Sequence, residues 1–343
     1  MVIVRTGVPY ERAMSGKGWL RAWMLVALVC LITARPALGQ GAPAAAPAIP
    51  AANPPVVNGQ APGPGRGAPP PPVRIGPPAP VPPEVTMLRP SAAELTVVNQ
   101  AVQQFIDTDQ SSAREVLKKY QSLLMLQPPR LNTAATFTQT VQRMGPRHEG
   151  FVEIAKAGHI DLLLHGDSIT DWWVQGDQNK AMFEKYFGDL KTANFAVAGD
   201  TTQGVLWGLH NGEGQGFQPK AIMLMIGTNN SGPNTAPEIA EGVGAVVLEM
   251  RHDFPDAKIL LLAIFPRGVP GDPIRDKVAE VNRIISRLDD QRHVFYLDIG
   301  SKFLDDKGAF LPDAFRPDNL HPQALGYDIW GGAVQAKLAE LMK

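Results

Sequence analysis

Four short segments of the sequence carry side chains that together could perform nucleophilic acyl chemistry. They are GDSIT at 166–170, AGDTT at 198–202, GTNN at 227–230 and DNLHP at 318–322. Ser168 offers a hydroxyl nucleophile, and His321 is a candidate general base. Asp318 precedes His321 by three residues, so a tight turn can let its carboxylate orient the imidazole. Each segment alone is weak evidence, because Ser, Gly and Asn are common in turns and at helix starts.

The same segments contain three groups that could stabilise an oxyanion. The backbone N–H groups of Ser168 and Gly199 and the side-chain amide of Asn229 can donate hydrogen bonds into one cavity. Attack by Ser168 on an ester would then give an acyl-enzyme that water hydrolyses. We expect no cofactor and no metal, since the remaining histidines show no metal-ligand spacing.

Neighbouring residues are candidates for supporting or substrate-binding roles. These candidates are Asp167, Thr170, Asp200, Asn230, Trp172, Trp173, Trp207 and Arg267. We expect Asp167 to hydrogen-bond the turn that holds the serine. The tryptophans could line an acyl or sugar subsite, or they could pack in the core, as aromatic residues more often do. The arginine could meet a polar substrate or pair with a surface acid.

Short apolar runs alternate with helical patterns from about residue 159 onward, and these elements must position the four segments. The predicted strands are Ile160–His165, Ala193–Val197, Ala221–Ile226, Ile259–Phe265 and Val294–Asp298. The predicted helices are Thr202–His210, Pro237–His252, Ile274–Leu288 and Ala324–Met342. This alternation predicts an α/β fold, a flavodoxin-like three-layer α/β/α sandwich with a five-stranded parallel sheet. The carboxyl ends of parallel strands share one edge, where the four segments should meet.

The four segments, in this order, resemble the sequence blocks of the GDSL/SGNH hydrolase family. The stretches NFAVAGDTT (194–202), LWGLHNG (206–212), GTNN (227–230) and FPRG (265–268) are similar to the catalytic subunits of intracellular platelet-activating-factor acetylhydrolase, and GDSITD (166–171) is similar to bacterial acetylesterases. The resemblance covers about residues 160–343 and implies a hydrolase domain at 151–343 that acts on short acyl esters, above all acetyl esters. The Gly-x-Ser-x-Gly motif of α/β-hydrolases does not surround Ser168.

The first residues are typical of a secretory signal peptide. Basic residues up to Arg21 are followed by the apolar run Ala22–Ala34 and by small residues at Ala37–Gly39. We therefore predict a signal peptide at 1–39 and a periplasmic or extracellular bacterial protein with no stable membrane insertion after cleavage. An uncleaved membrane anchor and a lipid anchor at Cys30, the only cysteine, are the alternatives.

Two further regions precede the predicted hydrolase domain. Residues 40–84 are rich in Pro, Ala and Gly and predict a disordered linker, which is either a spacer or passive low-complexity sequence. Residues 85–150 predict a helical extension. One helix should begin after the capping box of Ser91 and Glu94, and another should run over 112–126. This hairpin is expected to pack on the main domain, or alternatively to cover the active site.

Charge and composition narrow the possible partners. The chain has 32 Lys and Arg against 33 Asp and Glu, and residues 1–39 hold five of these basic residues but one acid. A mildly acidic remainder argues against a nucleic-acid partner. We expect the partner to be a small acyl-ester or acetylated carbohydrate substrate. Three alternatives stay open: a lipid esterase, transfer of the acyl group to a sugar, and a catalytically inactive glycan-binding module.

Overall fold

A computed structural model describes residues 74–343 and is centred on a five-stranded parallel sheet. The strands are β1 (Leu162–Gly166), β2 (Thr192–Asn194), β3 (Ala221–Met225), β4 (Lys258–Leu262) and β5 (Val294–Leu297). Their order across the sheet is β2-β1-β3-β4-β5, with every neighbouring pair parallel. This is the strand order of flavodoxin-like folds. The predicted fold class is therefore confirmed.

Ten α-helices surround the sheet or precede it within the described residues. They are α1 (Ala92–Thr108), α2 (Arg114–Lys119), α3 (Gln121–Leu124), α4 (Pro146–Ala157), α5 (Ser168–Asp171), α6 (Asp177–Phe187), α7 (Thr202–Gly208), α8 (Ala236–Asp253), α9 (Pro273–Ile285) and α10 (Ala324–Leu341). The sequence patterns did not predict α4 and α6. The helix predicted to reach His210 ends at Gly208 and continues as a π-helical turn over Leu209–Glu213.

Two hydrophobic cores lie on opposite faces of the sheet. Alternate strand residues such as Leu163 and Ile222 join one core, together with α7, α8 and α9. Their neighbours Leu162 and Met223 join the other core, together with α6 and α10. Because successive side chains of a strand point to opposite faces, an unbroken apolar strand contributes to both cores. This two-sided burial holds the carboxyl ends of the strands in fixed positions.

The end of the predicted linker belongs to the folded domain. Ala79 donates its backbone N–H to the Ala135 carbonyl at 2.9 Å, and Phe137 donates to the Pro77 carbonyl at 2.9 Å. The prediction of a disordered linker up to residue 84 is wrong for this stretch, because backbone hydrogen bonds hold it against the domain. The scarcity of large apolar residues does not reveal such bonds. The predicted signal peptide, Cys30 and the rest of the predicted linker lie outside the described residues.

The helical extension contains the first predicted helix but a shorter second one. The capping box of Ser91 and Glu94 is formed at the start of α1. The second predicted helix is interrupted at Tyr120, whose backbone leaves helical geometry between α2 and α3. Arg89 and Arg130, which flank this hairpin, form ion pairs with the α8 residues Glu241 and Glu238. Within residues 74–343, no helix is both long and apolar enough to cross a membrane.

Candidate active site

Ser168 stands at the tight turn between β1 and α5. Asp167 is the N-cap of this short helix, and its Oδ1 accepts the backbone N–H of Ile169 at 3.0 Å. Gly166 has a φ of 159°, and a Cβ there would lie 2.3 Å from the Met225 carbonyl oxygen on β3, so the turn requires glycine. The turn leaves Ser168 only 5% exposed. The turn therefore holds the Ser168 hydroxyl at the carboxyl end of β1, with little of the residue open to solvent.

His321 connects the serine to a carboxylate. Its Nε2 lies 2.9 Å from the Ser168 Oγ, and its Nδ1 lies 2.7 Å from the Asp318 Oδ2. The other carboxylate oxygen, Oδ1, accepts the backbone N–H groups of Leu320 and His321 at 3.0 and 3.1 Å. Partial burial raises the pKa of Asp318, but these hydrogen bonds outweigh it and hold the pKa below the usual value. An ionised Asp318 keeps the proton on Nδ1, so Nε2 is free to accept from Ser168.

Three donors predicted for an oxyanion hole remain available. The backbone N–H groups of Ser168 and Gly199 have no acceptor among residues 74–343. Gly199 adopts a φ of 79°, a left-handed conformation that favours glycine. Asn229 donates one Nδ2 hydrogen to the Asp200 carbonyl at 2.8 Å, which fixes the amide and leaves its second hydrogen free. A hydroxyl, a base with its orienting carboxylate, and free donors are the parts that acyl transfer needs.

Comparison with known proteins identifies the family of this chain. The model of the GDSL-like Lipase/Acylhydrolase family matches residues 164–329. The chain is 38% identical over 202 residues to rat platelet-activating factor acetylhydrolase IB subunit alpha2, covering 58% of this chain and 85% of that protein. The chain belongs to the GDSL-like lipase/acylhydrolase family.

Two further similarities extend this comparison. The bovine platelet-activating factor acetylhydrolase IB subunit alpha1 is 31% identical over 196 residues, which cover 57% of this chain and 82% of that protein. A GDSL-like lipase structure from Bacteroides thetaiotaomicron aligns with a TM-score of 0.44 at 15% identity, over 65% of this chain and 97% of that chain. As a member of the family, this protein is a carboxylic ester hydrolase. The alternative of an inactive binding module is not supported.

The supporting candidates of this GDSL-like hydrolase have structural partners. Burial raises the pKa of Asp167 to about 7, and the charges of Asp200 and Asp171 add to that effect. Asp200 is buried against Arg143. Asn230 accepts the backbone N–H of Thr202 at 3.0 Å. Thr170 is buried and accepts at its carbonyl from the side chain of Asn194. These residues hold the turns around the candidate active site.

The three tryptophans lie in different environments. Trp172 stacks on the imidazole of His321, with ring centroids 4.1 Å apart and planes at 23°. Trp173 is fully buried in the core beside Trp330, so it cannot line a substrate subsite. Trp207 packs against His148 at 4.7 Å. Only Trp172 is thus in direct contact with the proposed triad.

Arg267 holds the turn that carries Asn229. Its Nη1 donates to the Thr228 carbonyl at 2.9 Å and to the Ser231 hydroxyl at 3.2 Å. The sequence left open whether this arginine meets a polar substrate or pairs with a surface acid. It forms no ion pair with an acid among residues 74–343. Its contacts are those of a residue that positions the Asn229 turn.

The helical extension supplies residues to the site that lie outside the four sequence segments. Arg143 is fully buried and forms ion pairs with Asp200 and Glu213, and its Nη2 donates to the Phe195 carbonyl at 3.0 Å. The side chain of Gln142 lies 3.5 Å from the position of a Cβ on Gly199. Residues that precede the predicted hydrolase domain therefore contact and stabilise the segment of Gly199 and Asp200.

Asp171 and Arg147 link α5, which begins at Ser168, to the segment at 196–198. Arg147 pairs with Asp171 Oδ1 and also donates to the Ala196 carbonyl at 2.9 Å. Asp171 Oδ2 accepts the Ala198 backbone N–H at 3.2 Å and the Gln175 side chain at 3.0 Å. No motif pointed to this pair, although Asp171 lies only three residues after Ser168 in the sequence. The pair therefore ties α5 to the segment that precedes Gly199.

One group of potential metal ligands lies elsewhere on the surface. Glu249, His252 and Asp253, near the end of α8, have ligand atoms within 4.8 Å of one another. His252 pairs with Asp253, and His210 pairs with Glu249. This group includes none of the residues of the candidate active site.

Proposed function

We propose that this protein is a serine esterase that hydrolyses short acyl esters, above all acetyl esters, on carbohydrates. Ser168 attacks the ester carbonyl while His321 takes its proton, and Asp318 stabilises the resulting imidazolium. The oxyanion is bound by the N–H groups of Ser168 and Gly199 and by the Asn229 amide. His321 then protonates the leaving alcohol, and water hydrolyses the acyl-enzyme by the reverse sequence of proton transfers.

The observation that carries this proposal is the unbroken relay from Ser168 Oγ through His321 to Asp318, at 2.9 and 2.7 Å. Both distances lie within hydrogen-bond reach, as a nucleophile and its base require. The free N–H groups of Ser168 and Gly199 are the donors that an oxyanion formed in the same reaction needs. Apart from the ester and water, every group in this scheme belongs to the chain.

Support for a small acyl group comes from the burial of Ser168 and from the relatives. Ser168 is only 5% exposed, and the Gln142 side chain lies over Gly199. Polar and aromatic groups such as Gln142 and Trp172 favour a short acyl chain on a polar alcohol over a long aliphatic chain. The relatives of this chain at 38% and 31% identity are named acetylhydrolases. Export, which residues 1–39 predict, would bring such an enzyme to extracellular or periplasmic glycans.

A second candidate is an esterase that removes acetyl groups from a lipid. The similarity to the rat platelet-activating factor acetylhydrolase subunit, at 38% identity over 85% of that protein, favours it. The same relay and the same donors would serve both substrates. The two candidates differ in the alcohol half of the ester.

The test is hydrolysis of 4-nitrophenyl esters of two to twelve carbons by the full-length protein and by Ser168→Ala. We expect activity confined to the shortest esters and a fall of several orders of magnitude, up to about 10⁶-fold, in the variant. Ser301→Ala, which changes an exposed serine outside the site, is the matched control. Activity that rises with chain length would favour the lipid candidate. Equal activity in wild type and Ser168→Ala would refute the serine mechanism.

A further inference from the structure

Arg316 lies on the same short loop as the proposed base and orienting acid. The loop is closed by backbone hydrogen bonds from Arg316 to the His321 carbonyl at 2.8 Å and from Asn319 to the Arg316 carbonyl at 3.0 Å. An isolated bridge between Phe315 and Pro322 adds to this closure. The backbone of Arg316 is therefore held in a fixed relation to His321.

The guanidinium of Arg316 is held over an aromatic ring beside the base. Its Cζ lies 4.5 Å from the ring centroid of Trp172, within the range of a cation–π contact. Trp172 in turn stacks on His321 at 4.1 Å. A chain of two ring contacts thus leads from the proposed base to a positive charge.

Apart from the Trp172 ring, this charge has no hydrogen-bonding or oppositely charged partner in the described part of the protein. Arg316 is exposed, and its side chain makes no hydrogen bond and no ion pair with residues 74–343. The nearest acid in the sequence, Asp318, directs its oxygens to His321 and to backbone N–H groups. The guanidinium N–H donors are therefore held in place without an acceptor among these residues. Their planar, forked arrangement matches the geometry of carboxylate and phosphate groups.

The position of Arg316 relates it to one half of the substrate. In acyl transfer the protonated base gives its proton to the leaving alcohol, so the alcohol half must lie next to His321. The oxyanion donors at Gly199 and Asn229 belong to the carbonyl side. Trp172 and Arg316 extend from the His321 side, where the alcohol half departs.

We propose that Arg316, stacked on Trp172, binds an anionic group on the alcohol half of the ester and so selects acidic substrates. This inference rests on the proposed function, because it takes His321 as the base. The shared chemistry is an oxyanion group, which either an acidic sugar or a phosphate-bearing alcohol could supply. Arg316 is a specificity-determining residue in this scheme and takes no part in bond making.

The test compares matched aryl acetates that differ in one substituent. The substrates are 4-acetoxybenzoate, 4-acetoxyphenyl phosphate and the neutral 4-acetoxybenzamide. We expect Arg316→Gln to lower the ratio of kcat/KM for the anionic ester over the neutral ester by about 10- to 100-fold, chiefly through KM. Arg316→Lys should restore part of the ratio, because it keeps the charge but not the fork. A larger effect with the carboxylate indicates acidic sugars, and a larger effect with the phosphate indicates phosphorylated alcohols.

Two results would overturn the proposal. If Arg316→Gln lowers kcat/KM equally for all three esters, the residue acts only through the packing of Trp172 on His321. If the ratio does not change, the guanidinium does not bind the anion. Arg287→Gln, which removes another exposed arginine outside the site, should leave the ratio unchanged.

A binding measurement separates this proposal from the esterase mechanism. In a Ser168→Ala background, 4-acetoxybenzoate should bind more tightly than 4-acetoxybenzamide in calorimetric titration, and Arg316→Gln should abolish that preference. If the wild type hydrolyses no ester but this preference exists, the esterase function fails and the anion site stands. If the wild type is active and the preference is absent, the anion site fails alone.

Discussion

Asp318→Asn should place the proton of His321 on the wrong nitrogen while leaving the loop intact. The Asp318 Oδ1 accepts two backbone N–H groups, from Leu320 and His321, and an asparagine would keep its oxygen there. Its NH₂ group would then face the His321 Nδ1, which must become an acceptor. If the asparagine amide rotated by about 180°, its NH₂ group would face the Leu320 and His321 N–H donors. Both hydrogen bonds would then be lost, at about 1 kcal/mol each. The proton would therefore move to Nε2, which could no longer accept from Ser168.

The size of the effect follows from the exposure of the carboxylate. In serine-protease triads the equivalent change lowers kcat about 10⁴-fold, with a buried aspartate. The Asp318 side chain is 45% exposed, so solvent screens its charge more strongly. A charge pair at about 4 Å is worth about 1 kcal/mol in water and about 4 kcal/mol near a protein surface. With the tautomer change added, we expect kcat to fall by about 10³-fold, since each 1.36 kcal/mol is tenfold in rate.

The assay is 4-nitrophenyl acetate hydrolysis at pH 8, together with urea unfolding to check the fold. Asp313→Asn is the matched control, because Asp313 is an exposed acid of the same region whose side chain makes no hydrogen bond with the described residues. We expect the control to keep wild-type activity. The unfolding free energy of Asp318→Asn should change by less than about 2 kcal/mol, since its backbone acceptor is retained. A stable Asp318→Asn variant within about tenfold of wild-type kcat would refute the relay.

Two further substitutions probe the acids around Ser168. Burial raises the pKa of Asp167 to about 7, above its unfolded value, so this group makes the protein less stable as the pH rises from about 4 to about 7. Asp167→Asn keeps the bond to the Ile169 N–H. Between pH 5 and pH 8 its unfolding free energy, measured in urea, should rise by about 2–3 kcal/mol relative to that of the wild type. Unfolding free energies that change in parallel with pH in the two proteins would contradict this. Asp171→Asn should lower kcat by about 10- to 100-fold with little change in KM, because the segment from Ala198 to Gly199 loses a charged acceptor. Steady-state kinetics on 4-nitrophenyl acetate check it, and a change confined to KM would exclude this positioning role.

The candidate catalytic residues were predictable because each is local to a strand end. Ser168 follows β1 directly, and Asn229 follows β3 within a few residues. A parallel sheet with helical crossovers must bring such positions to one edge, whatever the strand order is. Asp318 and His321 are close in sequence, so a single turn aligns them. The candidate site could therefore be predicted from short segments and the class of fold.

The sequence patterns did not predict contacts that depend on which face of a short helical turn a residue occupies. Trp172 and Trp173 are adjacent, yet one stacks on His321 and the other is buried beside Trp330. The helical turn before them is only four residues long, too short for periodicity to show which face is buried. Composition predicts a linker near Ala79, because it does not reveal the backbone pairing with Ala135.

The amino-acid sequence by itself determined the α/β class, the family and the set of candidate catalytic residues, because these depend on local patterns and on motif order. The tertiary structure alone decided the contacts between residues far apart in the chain. Arg143 braces Asp200 from the helical extension, and Arg316 reaches Trp172 from the last loop. Such contacts arise when the strand order β2-β1-β3-β4-β5 and the helix packing bring distant segments together. No local pattern encodes that order, since side-chain burial is similar for every central strand of a parallel sheet.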